Sequence, residues 1–590
     1  MKNFLTGNEA VARGAFEAGV TLASAYPGTP STEILENVAN YKEIYSQWSP
    51  NEKVALEVAI GGSIAGARTL AAMKHVGINV AADPLFTFGY LGVNGGCIIV
   101  SADDPGMHSS QNEQDNRYYA KASKIAMLEP SDSQEAKDFV KVGYEISEKY
   151  DVPILLRLTT RICHSKGLVE FDDREEVGMK VYEKNIPKYV ATPANGRKLH
   201  VVVEEKLKKL EEYSNNTPLN RFEWNDKKIG IITSGVAYQY AKEVFGDTVS
   251  YLKLGFTFPL PKEKIKEFAN EVDKLYVIEE LEPYLETEIK AMGIDVIGKE
   301  VIPIVGELNP DIIAEAILGE KREAVAKNEE KVVGRPPTMC AGCPHRGLFY
   351  ELSKKKNTVV TGDIGCYTLG SAPPLSTMDT CVCMGASVSA GHGFAAASKF
   401  NGRDTKVFGV IGDSTFFHSG ITGLIDIVYN KGNAATIILD NRITGMTGHQ
   451  ENPGTGYTLM GDVTEQIDLV KVCEAIGVKH IEVINPLDLK ATKAAIDKAM
   501  ETEEPMVIIT KWPCVLKKST KEEIEEYGLD RKSCVVDSEK CKKCKMCLKA
   551  GCPAISFDDN TGAIIDDSMC VGCDVCLQIC LFDAIEKVGE

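Results

Sequence analysis

Residues 407–441 read VFGVIGDSTFFHSGITGLIDIVYNKGNAATIILDN. Two apolar runs bracket a segment in which Ile421, Leu424, Ile425 and Val428 recur at three- and four-residue steps, so the pattern is strand, helix, strand. A βαβ unit of about 30 residues returns the chain to the same edge of a parallel sheet. Ligands of open α/β sheets collect at the carboxyl ends of such strands. Gly412, Asp413 and Ser414 end the first strand, and Asp440 and Asn441 end the second. A carboxylate, an amide oxygen and a main-chain carbonyl are hard oxygen donors, a set that suits octahedral Mg2+ on a diphosphate. The competing reading is that Gly-Asp and Asp-Asn simply cap two strands.

The spacing, Gly-Asp-x and then Asn some 28 residues after the Asp, resembles the thiamine diphosphate motif. A thiamine enzyme also needs an acid beside the aminopyrimidine ring, to relay the proton that makes the ylide. In NEKVALEVAIGGSIAGARTL, residues 51–70, Glu57 is the only ionisable side chain between Val54 and Ala67. A carboxyl on a Gly/Ala-rich helix that packs closely is expected to be desolvated, with the raised pKa a proton-sharing relay requires. Glu52, beside Pro50 and Lys53, reads instead as an exposed first-turn acid favoured by the helix dipole. Glu57 is the expected relay.

Outward from this unit, apolar strands continue to alternate with helical stretches, which predicts parallel sheets covered by helices on both faces. At about 150 residues per domain, 590 residues predict about four domains. Residues 1–175 form a first α/β block, 176–225 a charged linker with a surface helix, 226–325 a second α/β block, and 335–520 the block containing Asp413. A charged stretch at 319–331 and the Pro pair at 336–337 separate the last two. The net charge of -18, from 84 acidic and 66 basic residues, argues against a nucleic-acid surface. The first twenty residues lack a signal-peptide pattern, and no run approaches the roughly 18 apolar residues of a membrane span, so a cytoplasmic protein without a membrane partner is expected.

Eight of the 18 cysteines crowd into residues 541–580. In a reducing compartment such density points to metal ligands rather than disulfides. The spacing is Cys541, Cys544, Cys547 and Cys552, then Cys570, Cys573, Cys576 and Cys580. In two-cluster bacterial ferredoxins three closely spaced thiolates hold one 4Fe-4S cube and the distant fourth ligates the other. That rule assigns Cys541, Cys544, Cys547 and Cys580 to one cube and Cys570, Cys573, Cys576 and Cys552 to the other. Zinc is the rival, but structural zinc sites pair two doublets rather than two triplets. Two details depart from the ferredoxin pattern: four residues separate Cys547 from Cys552, and Leu581 stands where a second proline is expected.

Together with AYPGTPSTE, MKHVGINVAADPL, TMCAGCPHRG and DNRITGMTGHQ, these motifs make nearly the whole chain similar to the large (alpha) subunit of indolepyruvate ferredoxin oxidoreductase, within the 2-oxoacid:ferredoxin oxidoreductases. The resemblance implies a multidomain α/β thiamine-diphosphate-binding fold: residues 1–175 take the pyrimidine, 226–325 look like a transketolase C-terminal domain, 335–520 take the diphosphate and Mg2+, and 530–590 form an α+β ferredoxin domain with two 4Fe-4S clusters. It implies that a thiamine-bound aryl 2-oxoacid loses CO2, gives two electrons to iron-sulfur clusters and passes its acyl group to coenzyme A, with free ferredoxin and a small beta subunit as partners. By the same resemblance Asp413, Asn441 and the carbonyl of Ile443 hold Mg2+, Gly412 and Ser414 lie by the diphosphate, and Thr29 of YPGTP lies near the substrate. Against Thr29, the turn leaves Ser31 or Thr32 to cap the next helix. Cys340, Cys343, Cys366 and Cys514 resemble the ligands of a third 4Fe-4S cluster beside the thiamine. Cys381 and Cys383 compete with them, and Cys97, Cys163, Cys473 and Cys534 read as structural or incidental. Alternatives are oxidation of another 2-oxoacid, a non-oxidative decarboxylase, or an electron-transfer scaffold with an inactive thiamine site.

Overall fold

The computed structural model of the chain describes residues 2–321, 334 and 336–589. Two compact units divide it, Met1–Glu329 and Glu330–Glu590. The charged boundary expected at 319–331 lies mostly outside the described residues.

The first unit is organised by a seven-stranded sheet in the order Phe256–Phe258, Ala126–Leu128, Ile154–Thr159, Cys97–Asp103, Thr69–Lys74, Leu22–Ala25, Tyr45–Trp48. All its pairings are parallel except at the edge strand Phe256–Phe258. The central strands Thr69–Lys74, Cys97–Asp103 and Ile154–Thr159 are buried along their whole length, the signature of a sheet covered on both faces. A four-stranded sheet follows in the order Lys274–Ile278, Ile229–Ser234, Ser250–Leu254, Arg221–Glu223. Because Phe256–Phe258 crosses back to the first sheet, the 226–325 block is stitched into the first rather than standing apart. The expected linker is largely one 24-residue helix, Pro193–Asn216.

The second unit holds a six-stranded sheet, entirely parallel, in the order Thr380–Cys381, Thr358–Gly362, Lys406–Gly412, Ala435–Asp440, Met506–Lys511, His480–Ile484. Lys406–Gly412 and Ala435–Asp440 are neighbours, as the βαβ pattern requires. The connecting helix begins at Asp413, passes through a π-helical turn at Phe416–Gly420 and continues as Ile421–Tyr429. Its inward face centres on Gly423, Leu424 and Ile427, whereas Ile425 is 47% exposed. Gly423 explains the shift: a Cβ there would lie 3.1 Å from Val388 on the helix Ala386–Phe400, so the two helices approach across the glycine.

The cysteine-rich tail is built of two antiparallel pairs, Cys534–Val536 with Ile585–Lys587 and Ile555–Asp558 with Gly562–Ile565, plus the short helices Met546–Ala550 and Val575–Ile579. Ala550, Val575 and Ile579 belong to the same apolar core as Phe408 and Ile437 of the six-stranded sheet. Buried Arg346 reinforces this join, donating to the Ala550 carbonyl at 2.8 Å and to those of Met339 and Cys340 at 2.7 and 2.9 Å.

Candidate active site and cysteine clusters

Because neighbouring parallel strands end side by side, Asp413 and Asn441 emerge together. One atom of the Asn441 side-chain amide lies 3.2 Å from the Asp413 carboxylate and 2.7 Å from the Ile443 carbonyl: with the nitrogen there it donates to both, and with the oxygen there three oxygens converge. Such oxygens repel unless the amide turns over or a cation sits among them. Their separations match the edge of an Mg2+ octahedron, about 2.9 Å for bonds near 2.1 Å. Asp413 is buried and accepts a hydrogen bond from Asn452 at 3.1 Å. Burial, then the charge of nearby Asp440, pushes its carboxyl up to about 8, a burden that a cation relieves. Ser414 follows directly, its hydroxyl accepting from Thr444 at 3.0 Å, and Gly412 packs under the Tyr367 ring, leaving no room for a Cβ. The donor set fits the expected metal and diphosphate.

Asp363 is a residue that sequence reasoning missed. It ends Thr358–Gly362 and takes hydrogen bonds from the main-chain N–H groups of Ile364, Gly385 and Ser387 at 2.8, 3.0 and 3.0 Å. It thereby ties the loop carrying Cys366 to the start of the helix Ala386–Phe400.

In the first unit the two candidate acids exchange roles. Asn51 caps the helix Glu52–Ala65 by accepting from the Val54 N–H at 2.9 Å, which frees Glu52 to turn inward. Glu52 is 4% exposed and pressed against the next helix: a Cβ on Gly77 would lie 2.6 Å from its Cγ. Glu57 is 44% exposed and pairs with Lys53 one turn earlier. Gly61, on the same stripe as Glu57, has nothing within 4 Å of a would-be Cβ. The Gly/Ala-rich face therefore does not enclose Glu57. The burial expected of Glu57 is thus corrected: Glu57 is exposed, and the acid buried on this helix is Glu52. Thr29 is half-buried at the end of the neighbouring strand. Ser31 does not cap the next helix but donates to the Gly28 carbonyl at 2.9 Å, closing the YPGTP turn instead.

The tail thiols gather in the crossed pattern. Cys541, Cys544, Cys547 and Cys580 line one cavity, and burial and then the other three thiols push Cys547 up. Cys552 acts likewise on Cys570, Cys573 and Cys576. The loops repeat each other: Lys543 and Lys545 in one, Gly572 and Asp574 in the other, take left-handed φ at matching places. Cys534, expected to be structural or incidental, lies beside the second group, its N–H donating to the Cys570 sulfur at 3.3 Å. No spacing signal marks it, because it arrives from a separate strand.

Cys340, Cys343, Cys366 and Cys514 also meet. Burial raises Cys343 and Cys366, and the charges of Cys514 and Cys340 add to it in both. Cys381 and Cys383 are raised by burial and Asp363 instead. The N–H of Cys514 donates to the Asn441 carbonyl at 2.9 Å, so this group adjoins the oxygen corner. Gly342 lies against Val571, which leaves no space for a side chain between this loop and that of Cys570 and Cys573. Among the described residues no three His, Cys, Asp or Glu side chains close on a single ion.

A family model for the thiamine-diphosphate-binding domain of pyruvate flavodoxin/ferredoxin oxidoreductases matches residues 13–209, and one for the C-terminal TPP-binding domain of thiamine pyrophosphate enzymes matches 363–510. Indolepyruvate oxidoreductase subunit IorA of Archaeoglobus fulgidus is 40% identical, over 99% of this chain and 97% of its own length. That of Pyrococcus horikoshii is 41% identical, over 100% and 97%. The chain belongs to the IorA family of indolepyruvate oxidoreductases. It is thus a 2-oxoacid:ferredoxin oxidoreductase, and it is 24% identical over 54% of its length to 2-oxoglutarate synthase subunit KorA of Methanothermobacter marburgensis. The two matched segments coincide with the two large parallel sheets, so in this IorA-family chain both bear thiamine-binding domains.

Proposed function

We propose that this chain is the large catalytic subunit of a ferredoxin-dependent enzyme that converts an aryl 2-oxoacid of the indolepyruvate type and coenzyme A into acyl-CoA and CO2. The observation that carries the reading is the hydrogen bond from Cys514 to Asn441, which joins a cysteine group to the oxygen corner. A decarboxylase that oxidises nothing has no use for thiols at that place.

Thiamine diphosphate, when bound, would supply the nucleophilic carbon, and 4Fe-4S clusters the electron acceptors. Asp413, Asn441 and the Ile443 carbonyl would hold Mg2+, with Gly412 and Ser414 along the diphosphate and Glu52 sharing a proton with the pyrimidine. Cys340, Cys343, Cys366 and Cys514 would ligate the cluster nearest the chemistry. The contact of Gly342 with Val571 favours the cluster of Cys552, Cys570, Cys573 and Cys576 as the next station, leaving that of Cys541, Cys544, Cys547 and Cys580 to face ferredoxin. A small second subunit would complete the enzyme in the cytoplasm. In support, Phe400 and Tyr429 on packed helices are 93% and 83% exposed, and among the described residues no helix is long and apolar enough to cross a membrane.

The complex with the small subunit should reduce ferredoxin or a dye only when 2-oxoacid and coenzyme A are both present. A panel of indolepyruvate, phenylpyruvate, pyruvate and 2-oxoglutarate ranks the substrates, and no reduction with any of them sinks the reading. Three clusters predict about twelve irons per chain, dropping toward eight in Cys514→Ala and staying at twelve in Cys473→Ala.

A further inference from the structure

Lys74 ends the strand Thr69–Lys74, beside the Thr29 turn, Glu52 and Asp104, all at the carboxyl edge of the seven-stranded sheet where ligands of such sheets bind. Its side chain is 8% exposed. Gly28 of the YPGTP turn covers the stem: a Cβ there would sit 3.1 Å from the Lys74 Cβ and 3.9 Å from its Cδ. The ammonium donates to the Ser109 carbonyl at 2.5 Å and approaches the Ser109 hydroxyl at 3.4 Å. That hydroxyl donates to the Thr29 carbonyl at 3.2 Å, so one residue links Lys74 to the turn.

Other deeply buried cations in this unit each touch carboxylates: Arg117 contacts Asp115 and Glu279, Arg157 contacts Asp103 and Glu129, Lys137 contacts Glu17, and Lys253 contacts Glu135. Lys74 forms no ion pair within 4 Å among the described residues. Asp104 is its nearest rival for a partner, but that carboxylate accepts from the Ser109 N–H at 2.9 Å, the Ser110 hydroxyl at 2.5 Å and the Thr160 hydroxyl at 2.6 Å. Asp104 and Glu52 contribute their fields only, while burial pushes the ammonium down to about 8, which keeps it largely charged at neutral pH. Adjacent His75 is held neutral by burial and by the Lys74 charge, so no second cation competes from that side.

We infer that the Lys74 ammonium receives the carboxylate of the 2-oxoacid and thereby sets the keto carbon's place beside Thr29 and Glu52. This rests on the functional reading above. A buried cation tied only to neutral oxygens keeps hydrogen-bonding capacity that a carboxylate can fill, and charge-assisted bonds of that kind are the strong ones. Asp104 and Glu52 limit the pull of the site, so a substrate binds without being trapped.

The test uses the complex with its small subunit and phenylpyruvate as probe. Lys74→Met should lower kcat/KM by about 10²–10³-fold, the scale for truncating one partner of a buried charge pair, carried mainly by KM. Thiamine diphosphate and iron contents should match wild type. The preference for phenylpyruvate over its methyl ester should collapse, and Lys74→Arg should restore most of it. Lys74→Gln, which keeps a donor for Ser109 without the charge, carries the same expectation where Lys74→Met does not fold. Unchanged kcat/KM, or equal losses for acid and ester, overturns the role of Lys74. An inactive wild-type complex would instead overturn the functional reading, and this inference with it.

Discussion

In the first unit four buried acids face guanidinium groups: Asp103 and Glu129 flank Arg157 at 2.8 and 2.6 Å, and Asp115 and Glu279 flank Arg117 at 2.5 and 2.6 Å. In the six-stranded sheet Asp413 is as deeply buried but forms no ion pair within 4 Å among the described residues, and its nearest strong neighbour is another acid, Asp440. The first arrangement neutralises itself. The second does so only by taking up a proton or a cation, which makes Asp413 the candidate to hold a ligand where the first four acids hold the fold.

Four measurements can break or sharpen that contrast. Asp413→Ala should lose Mg2+ and thiamine diphosphate together, because it removes the only formal charge placed on the metal; normal cofactor content in the purified variant would erase the distinction. Glu52→Gln should lower turnover by about 10²–10⁴-fold, the scale for an acid-base group. Glu57→Gln, which removes only an exposed pair with Lys53, should leave turnover nearly unchanged. The reverse ranking in steady-state assays would restore Glu57. Arg117→Met leaves Asp115 and Glu279 buried without their cation and should destabilise the fold by about 3–5 kcal/mol in denaturant titrations, with cofactor content per folded chain unchanged.

The smallest effect concerns Glu280, which burial pushes up to about 7 although Arg157 pulls the other way. Its folded pKa lies above the unfolded value, so its contribution to stability is fully present below about 4.5 and is lost as pH rises through about 7. Denaturant titrations at pH 5 and pH 8 should show the slope, and Glu280→Gln should flatten it. A slope unaffected by the substitution would place the titrating group elsewhere.

The oxygen corner was legible because its residues end adjacent strands of one βαβ unit, so local pattern and site coincide. The tail cysteines were legible through spacing, whereas Cys340, Cys343, Cys366 and Cys514 were legible only through the family resemblance, because Cys366 and Cys514 lie far from the Cys340 loop in sequence. Glu52 was not: its burial comes from Gly77, on a helix beyond the next strand, and no periodicity within its own helix records that contact. Ile425 failed in the same way, since Gly423 sets which side of that helix meets its neighbour. The Arg117 and Arg157 networks join residues up to 165 positions apart, beyond the reach of any motif.

The matching left-handed residues of the two tail loops make them copies of one strand, loop, helix and strand unit, displaced by 29 residues. Each copy brings three thiols and lends its fourth to the other, so neither half is self-sufficient. Damage is therefore shared: a substitution that unfolds either loop disturbs the thiols of both groups at once.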